Sequence, residues 1–344
     1  SFPEQAEQVR ALLSEARWIV DGLLGTGLNG AARPPLDELI RWVNSSPGRT
    51  LAVDLPSGVG DAFRRGFPAV EAEYTLTIGL PKLCLYLPAA RALCGRILVV
   101  QGVFPEQLIE DPQLPGRMLS AQELDELPAL PRDAHKGRRG HLAVFAGSEG
   151  TTGAAWLAAT AAARSRAGLV TLFLPRALYT AALPRFKSVM VRPWEPGDEP
   201  LRFEAGRFSA LLVGPGWGAS EDRLPWLKRL LGLGLPGVLD ADGITLMSRI
   251  ERRPRLAGRW VLTPHPGEFA RLIASPLAAV LDDPLPPLLQ ASAELEAVIV
   301  LKGHCTFIAA PDGRYSILDA MNPALATGGS GDVLAGIIAG LAAG

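Results

Sequence analysis

The chain has 344 residues, enough for two domains with separate cores, and its 48% hydrophobic and 20% charged residues describe a compact globular protein. A formal net charge of -1 argues against nucleic acid or an anionic membrane as the main partner, so any phosphate affinity must be local. The apolar stretches fall short of the roughly 18–20 residues that cross a bilayer. Cys84, Cys94 and Cys305 cannot all pair and lack metal-ligand spacing, so a reducing, cytoplasmic setting is expected. The Ser-Phe-Pro-Glu-Gln start has no basic stretch ahead of an apolar one and reads as no secretory signal. With no initial Met and an end at Gly344 inside a helical pattern, the sequence is expected to be incomplete at both ends.

In chain order, Trp18 to Leu24 reads as a strand ending at the Gly25-Thr-Gly-Leu28 turn, and Leu36 to Val43 has helical spacing. Thr50 to Asp54, Tyr74 to Ile78 and Arg96 to Val100 are predicted strands. Nearly continuous apolar strands joined by helices imply a parallel sheet covered on both faces. From about Glu110 to Lys136 the pattern dissolves into Pro, Asp and Glu around a short amphipathic piece at Ala121 to Leu127, which marks a linker. Alternation then resumes with a strand and turn over Gly140 to Ser148 and an Ala-rich helix over Gly153 to Arg166. Strands are predicted at Leu169–Leu174, Ala210–Val213, Gly237–Asp240, Trp260–Leu262 and Ala297–Leu301. The Pro- and Leu-rich segment Ser275 to Leu289 reads as a surface connection around a helix start, and no repeat of solenoid period is present. The fold class is α/β in two domains.

Polar or glycine-rich clusters follow almost every strand of the second half, and ligands of open α/β sheets bind beyond the carboxyl ends of the strands. The clusters are Gly147 to Ala154, Gly214-Pro-Gly-Trp-Gly218, Asp240-Ala-Asp242, Thr263-Pro-His-Pro-Gly-Glu268 and Lys302-Gly-His-Cys-Thr306. Each has an ordinary reading, as a plain turn or a solvated lysine. Pro264 and Pro266 hold His265 rigid, which a mere surface loop would not need.

The most informative run is Asn322-Pro-Ala-Leu-Ala-Thr-Gly-Gly-Ser-Gly-Asp332, which leads straight into the apolar stretch Val333 to Ala343. Gly328, Gly329 and Gly331 let backbone N–H groups turn toward a ligand, and the helix adds its positive dipole end, so the run can hold an oxyanion. Asp332 would stand beside that anion, where the general base for a substrate hydroxyl belongs. In the first half, Asp21, Asp54 and Gly79-Leu-Pro-Lys82 each stand at a strand-to-loop exit.

These motifs together resemble the ADP- or ATP-dependent NAD(P)H-hydrate dehydratases of the ribokinase-like superfamily. The match runs over about 113–344, through His135-Lys-Gly, Thr152-Gly-Ala-Ala155, Gly214 to Gly218, Asp240 to Asp242, Leu262 to Phe269, Val300 to Gly303 and Asn322 to Asp332. Residues 1 to about 105 are similar to the NAD(P)H-hydrate epimerase domain that bacteria often fuse ahead of the dehydratase. The domains expected are therefore an epimerase-like Rossmann-like three-layer unit at 1–112 and a ribokinase-like three-layer unit at 113–344.

The resemblance implies repair of hydrated nicotinamide cofactors, NADHX and NADPHX: phosphoryl transfer from ADP or ATP to the ring hydroxyl, then loss of phosphate to restore NADH or NADPH. It makes Asp332 the catalytic base and Gly329, Ser330 and Gly331 the anion hole. It places Ala154, Gly216, His265 and Asp332 on the hydrate, and Lys302, Gly303, His304, Cys305, Thr306 and Gly331 on the nucleotide. Mg²⁺ is expected in this half, with Asp242 ordering the site.

In the first half, Asp21 and Ser57 would bind K⁺, and Gly25, Thr26, Gly27, Leu28, Asn29, Gly30, Ala31 and Asp54 would hold the substrate, with Lys82 as an additional site residue. A homo-oligomer is expected by family analogy. The chain departs from the family pattern in lacking a counterpart of an Asn-Asn-Gly-Gly-Asp type loop that supplies another K⁺ ligand. It also carries Arg64, Arg166 and Arg185 where other residues are usual. The competing readings are a vitamin-precursor kinase of the same superfamily and an inactive nucleotide-binding regulatory protein.

Overall fold

A computed structural model of the chain describes residues 5–105, 114–127, 129–130, 132–197 and 204–344. It divides into two compact units, one holding residues up to 118 with 278–284 and 317–319, the other 119–277, 285–316 and 320–344.

The first unit carries α1 (Ala6–Glu15), β1 (Trp18–Asp21), α2 (Leu36–Ser45), β2 (Arg49–Val53), β3 (Tyr74–Ile78) and β4 (Arg96–Val100). The strands lie in the order β1-β2-β3-β4, all parallel. Successive strand side chains point to opposite faces. On one face Ile19 packs with Ile40 and Val43 of α2, Val70, and Leu13 of α1. On the other, Val20, Val53, Leu98 and Val100 are exposed. The strand foreseen through Leu24 stops at Asp21. Leu23 N–H donates to Asp21 Oδ1 at 3.3 Å and Leu24 N–H to Ser57 Oγ at 2.8 Å, so side chains replace a neighbouring strand as acceptors. Asp54 leaves β2 with φ +70°, a region that non-glycine residues seldom occupy.

The elements that follow are β5 (Gly116–Met118), β6 (His141–Phe145), α3 (Thr152–Arg164), β7 (Leu169–Pro175), α4 (Arg176–Ala182), β8 (Met190–Trp194) and β9 (Ala210–Val213). Next come α5 (Leu224–Leu231), β10 (Gly237–Leu239), α6 (Asp242–Ser248), β11 (Trp260–Leu262), α7 (Pro266–Leu272), α8 (Leu277–Asp282) and α9 (Leu285–Leu295). The chain closes with β12 (Val298–Leu301), β13 (Cys305–Ala309), β14 (Tyr315–Asp319) and α10 (Ser330–Ala343). In the second unit the order is β13-β12-β11-β10-β9-β6-β7-β8, parallel except for β13 against β12.

Alternation along β6 builds both layers of this unit. Leu142 and Val144 pack with α3 and α10 through Ala155, Ala158, Ala162, Ala335 and Ala339. Phe145 turns the other way and stacks on Phe173 at 4.6 Å between centroids, with Trp226 of α5 at 5.7 Å and Trp217 at 6.1 Å. Small residues let α10 lie very close to α3. A Cβ on Gly336 would stand 2.2 Å from the Ala158 carbonyl oxygen.

Several expectations change. The Pro- and Leu-rich segment 275–289, foreseen as a surface connection, holds α8 and the start of α9, with Val280, Leu285 and Leu288 buried. Leu285, Leu288 and Leu295 recur at helical spacing, and Pro286 and Pro287 fall in the first turn of α9, where a missing N–H costs nothing. Strand β8 escaped notice because Pro193 speaks against a strand; it lies at the sheet edge, where proline is tolerated. Cys305 and Thr306, foreseen in a binding cluster after a strand, begin β13, whose Cys305, Phe307 and Ala309 are buried in alternation. Of the expected linker at 110–136, part lies outside the described residues. The rest includes β5 and a 3₁₀ turn at Ala121–Glu126.

The α3–α10 contact yields a test. Gly336→Val should lower unfolding stability by about 1–3 kcal/mol through overpacking against backbone that cannot yield. A chemical-denaturation midpoint followed by circular dichroism measures it.

Candidate active site

The second unit gathers its site at the carboxyl ends of β9, β10, β11 and β12 and at the first turns of α3 and α10. The Gly214–Gly218 loop leaves β9 with Gly214, Gly216 and Gly218 all at positive φ. A Cβ on Gly216 would be 2.9 Å from that of Ala154 and 2.8 Å from that of Thr151, so only glycine allows this approach. The Thr151 hydroxyl donates to the Gly216 carbonyl at 2.7 Å, holding the loop on the start of α3. Gly218 N–H donates to Asp242 Oδ2 at 2.7 Å, which ties the loop to the first residue of α6. Asp242 thus orders the site through a protein hydrogen bond.

Asp240 is buried. A buried carboxylate needs partners to offset lost hydration, and it has two on Oδ1: Lys302 Nζ at 2.9 Å and the Thr263 hydroxyl at 2.7 Å. Lys302 N–H in turn donates to the Pro264 carbonyl at 2.9 Å, so β11 and β12 are stitched together where they exit the sheet. The same ammonium lies 3.3 Å from where a Cβ on Gly331 would stand. Lys302 therefore borders the first turn of α10.

That turn begins at Gly329, in the left-handed region at φ +96°, and a Cβ there would strike Leu157 of α3 at 2.4 Å. Among the described residues, the N–H groups of Gly329, Gly331 and Asp332 have no acceptor within the protein, as expected of a helix start. Ser330 differs: its N–H points to the Thr327 carbonyl at 3.4 Å, and its hydroxyl donates to the same oxygen at 3.0 Å. Asp332 sits in this turn with its pKa pushed up to about 6, first by burial, then by the negative charge of Asp240; Lys302 pulls it back down and Asp242 adds a further upward push. A half-buried carboxylate poised near neutrality suits a general base.

His265 caps α7. Its Nδ1 accepts from Gly267 N–H at 3.0 Å and Glu268 N–H at 3.3 Å, and Glu268 Oε2 accepts from His265 N–H at 2.8 Å. Nε2 lies 3.4 Å from Glu268 Oε1, so both ring nitrogens face the first turn of α7 and the exposed ring face is left for a ligand. Gly303 and His304 are exposed and Thr306 half-buried, whereas the Cys305 side chain is buried. Sequence reasoning placed Lys302 on the nucleotide but missed its bond to Asp240 and the Thr263 clamp. The available signal was an acid and a lysine ending strands that could lie in one sheet.

In the first unit, Asp21 is buried and accepts from Ser57 N–H at 2.7 Å and from the Ser57 hydroxyl. That hydroxyl is also 3.4 Å from the Leu24 carbonyl oxygen, so three kinds of oxygen meet here. Asp54 accepts from Ile78 N–H at 2.9 Å and pairs with Lys82, whose ammonium also reaches the Ile78 carbonyl at 2.7 Å. The loop from Gly25 to Ala31 is exposed or half-buried, and Cβ atoms on Gly25, Gly27 and Gly30 would meet nothing within 4 Å. That open space is where a ligand could approach the backbone. Cys84 and Cys94 are pushed up to about 11 and about 12 by burial, so neither is a ready thiolate.

Residues 142–343 match the family model described as NAD(P)H-hydrate dehydratase. The chain belongs to the NAD(P)H-hydrate dehydratase family. Residues 1–84 match the YjeF-related protein N-terminus. Among relatives of this dehydratase-family chain, the bifunctional NAD(P)H-hydrate repair enzyme Nnr of Moorella thermoacetica is 37% identical over 337 residues, covering 94% of this chain and 64% of that protein. The Nnr of Coxiella burnetii is 37% identical over 347 residues, covering 99% and 68%. The ADP/ATP-dependent NAD(P)H-hydrate dehydratase of Bacillus subtilis, co-crystallised with ATP/Mg²⁺, superposes with TM-score 0.58 at 30% identity, covering 66% of this chain and 81% of that one. A ribokinase-like superfamily protein of Enterococcus faecalis gives TM-score 0.60 at 30% identity, covering 67% and 81%.

Among the described residues no group of three or more His, Cys, Asp or Glu side chains could hold a metal ion, and no helix is long and apolar enough to cross a membrane.

The charges around Asp332 predict a pH profile. A base must be ionised to act, so kcat/KM should fall as pH drops below about 6. Lys302→Met removes the one influence holding that pKa down, so the acid limb should move to higher pH in a steady-state profile.

Proposed function

We propose that the second unit dehydrates (S)-NADHX and NADPHX to NADH and NADPH at the expense of ADP or ATP, and that the first unit interconverts the R and S hydrates. The single observation that carries the first part is Asp332 beside the N–H groups of Gly329 and Gly331, which have no acceptor among the described residues, with the Lys302 ammonium against the same turn. It is supported by family membership and by similarity to the Bacillus dehydratase named for both nucleotides.

The chemistry follows from what each group can do. Hydroxide leaves a ring carbon poorly and phosphate leaves well. Asp332 takes the proton from the ring hydroxyl as that oxygen attacks the terminal phosphorus of the nucleotide, whose bridging P–O bond breaks with its electron pair leaving on AMP (from ADP) or ADP (from ATP). Negative charge develops on the phosphoryl oxygens, facing the amides of the α10 first turn and the Lys302 ammonium. The new ester's C–O bond then breaks with its electron pair leaving on phosphate, a proton departs from the adjoining ring carbon, and the ring double bond returns. Ala154, Gly216 and the exposed ring face of His265 would border the hydrate, and Gly303, His304 and Thr306 the nucleotide. Mg²⁺ would enter on the nucleotide phosphates, where it neutralises charge, because this ion usually keeps waters and few protein ligands.

The first-unit reading rests on the oxygen cluster of Asp21, Ser57 and Leu24, a donor set that suits K⁺, and on the open glycine loop beside the Asp54–Lys82 pair. A homo-oligomer is the assembly proposed.

Hydrated NADH incubated with ADP or with ATP should recover absorbance near 340 nm; a stable phosphorylated alcohol would instead favour a kinase. Asp332→Asn should lower the rate by about 10²-fold or more with nucleotide affinity little changed. An unaltered rate would remove Asp332 from the mechanism. Chiral separation of the hydrates, with K⁺ exchanged for Li⁺, tests the first unit: slower R-to-S conversion without K⁺ is expected.

A further inference from the structure

Lys302 poses a problem that the proposed reaction alone does not answer. A lysine is a point charge on a flexible four-carbon stem, and a free one gives up rotamer entropy when it is fixed. Phosphoryl transfer gains most from charge that is already in place when the transition state forms. Something must hold the ammonium at the α10 turn before the nucleotide arrives.

We propose that Asp240 is a positioning residue for phosphoryl transfer: its buried carboxylate, clamped by Thr263, fixes the Lys302 ammonium against Gly331, where the transferring group must sit. The proposal rests on the reading of this site as a phosphoryl-transfer centre. Asp240 is 2% exposed, so it is shielded from direct contact with substrate and acts through its partner. Its Oδ1 receives both Lys302 Nζ at 2.9 Å and the Thr263 hydroxyl at 2.7 Å, so the hydroxyl sets where the carboxylate points. Thr263 N–H is itself bonded to the Leu239 carbonyl at 3.1 Å, which fixes the clamp to β10. The lysine main chain is held through Pro264, so both ends of its stem are anchored.

An ammonium has three donors. One can stay on Asp240 while another meets a phosphoryl oxygen, so Lys302 need not leave its anchor to act. The charged groups facing Asp332 are Asp240, Lys302 and Asp242. The adjoining turn of α3 offers Leu157 and no charged side chain.

The clamp predicts an unusual split between binding and turnover. Asp240→Asn removes a negative charge near the phosphates, so ground-state nucleotide binding should hold or improve. It also releases the lysine, so the transition state should lose stabilisation. With ADP or ATP varied against hydrated NADH, the expected result is kcat lower by about tenfold or more and nucleotide KM no higher than wild type. With Lys302→Met already in place, Asp240→Asn should lower kcat by less than about threefold further, since it acts through that lysine.

A nucleotide KM that rises with the loss of kcat, or an undiminished cost in the Lys302→Met background, would overturn the proposal. Thr263→Val, which keeps the shape and removes the clamp, should show the same split at smaller size and serves if Asp240→Asn proves misfolded by circular dichroism; an unchanged kcat for Thr263→Val would then count against the clamp. If the wild type leaves hydrated NADH unconverted, the hydrate reading fails on that result alone, and calorimetric ADP binding then judges the clamp. Binding by Asp240→Asn at least as tight as wild type supports it; binding more than about threefold weaker overturns it.

Discussion

The close seating of α10 on α3 is the contact on which the second unit's site depends. Ala155, Ala158 and Ala162 on one helix meet Ala335, Gly336 and Ala339 on the other, so backbone approaches backbone. A larger residue at Gly336 would push α10 away, and with it the unpaired N–H groups of its first turn. The same closeness explains Gly329, whose missing Cβ makes room for Leu157. An anion site made of amides is only as well placed as the helix that carries them.

Charge is then arranged around a fixed frame. Asp240 is the most deeply buried of the acids near the turn, and it is partnered; Asp332 is half-buried and, among the described residues, makes no ion pair of its own. Burial raises the pKa of Asp332 most and repulsion from Asp240 adds to it, while Lys302, bonded to Asp240, moderates the rise. One ammonium thus serves two ends, neutralising buried Asp240 and tempering half-buried Asp332. The arrangement needs no covalent intermediate on the protein, in keeping with phosphoryl transfer, where positioning and electrostatics do most of the catalysis.

The first unit uses its strand ends differently. Asp21 and Asp54 are both tied by hydrogen bonds to neighbouring loops, Asp21 to Ser57 and Asp54 to Ile78 and Lys82. They shape the exits of β1 and β2, and the positive φ of Asp54 marks where β2 gives way to a loop. The exposed apolar side chains on one face of this sheet reflect strands that carry apolar residues on both faces, as parallel strands do.

Local pattern alone determined the alternating α/β class, the strands Tyr74–Ile78, Arg96–Val100, Ala210–Val213 and Trp260–Leu262, and the glycine-rich start of the last helix, because apolar runs and glycines act within a few residues. Where strands end was less legible: β1 and β10 stop short because side chains from distant segments capture their backbone or their terminal acid. The β12–β13 pairing, the helices within 275–289 and the edge position of Pro193 also needed the whole sheet. So did the partnership of Asp240 with Lys302, 62 residues apart. A residue's chemistry is written in its type and near neighbours, but whether an acid is buried, and which cation answers it, is decided only when strands far apart in sequence come to lie side by side.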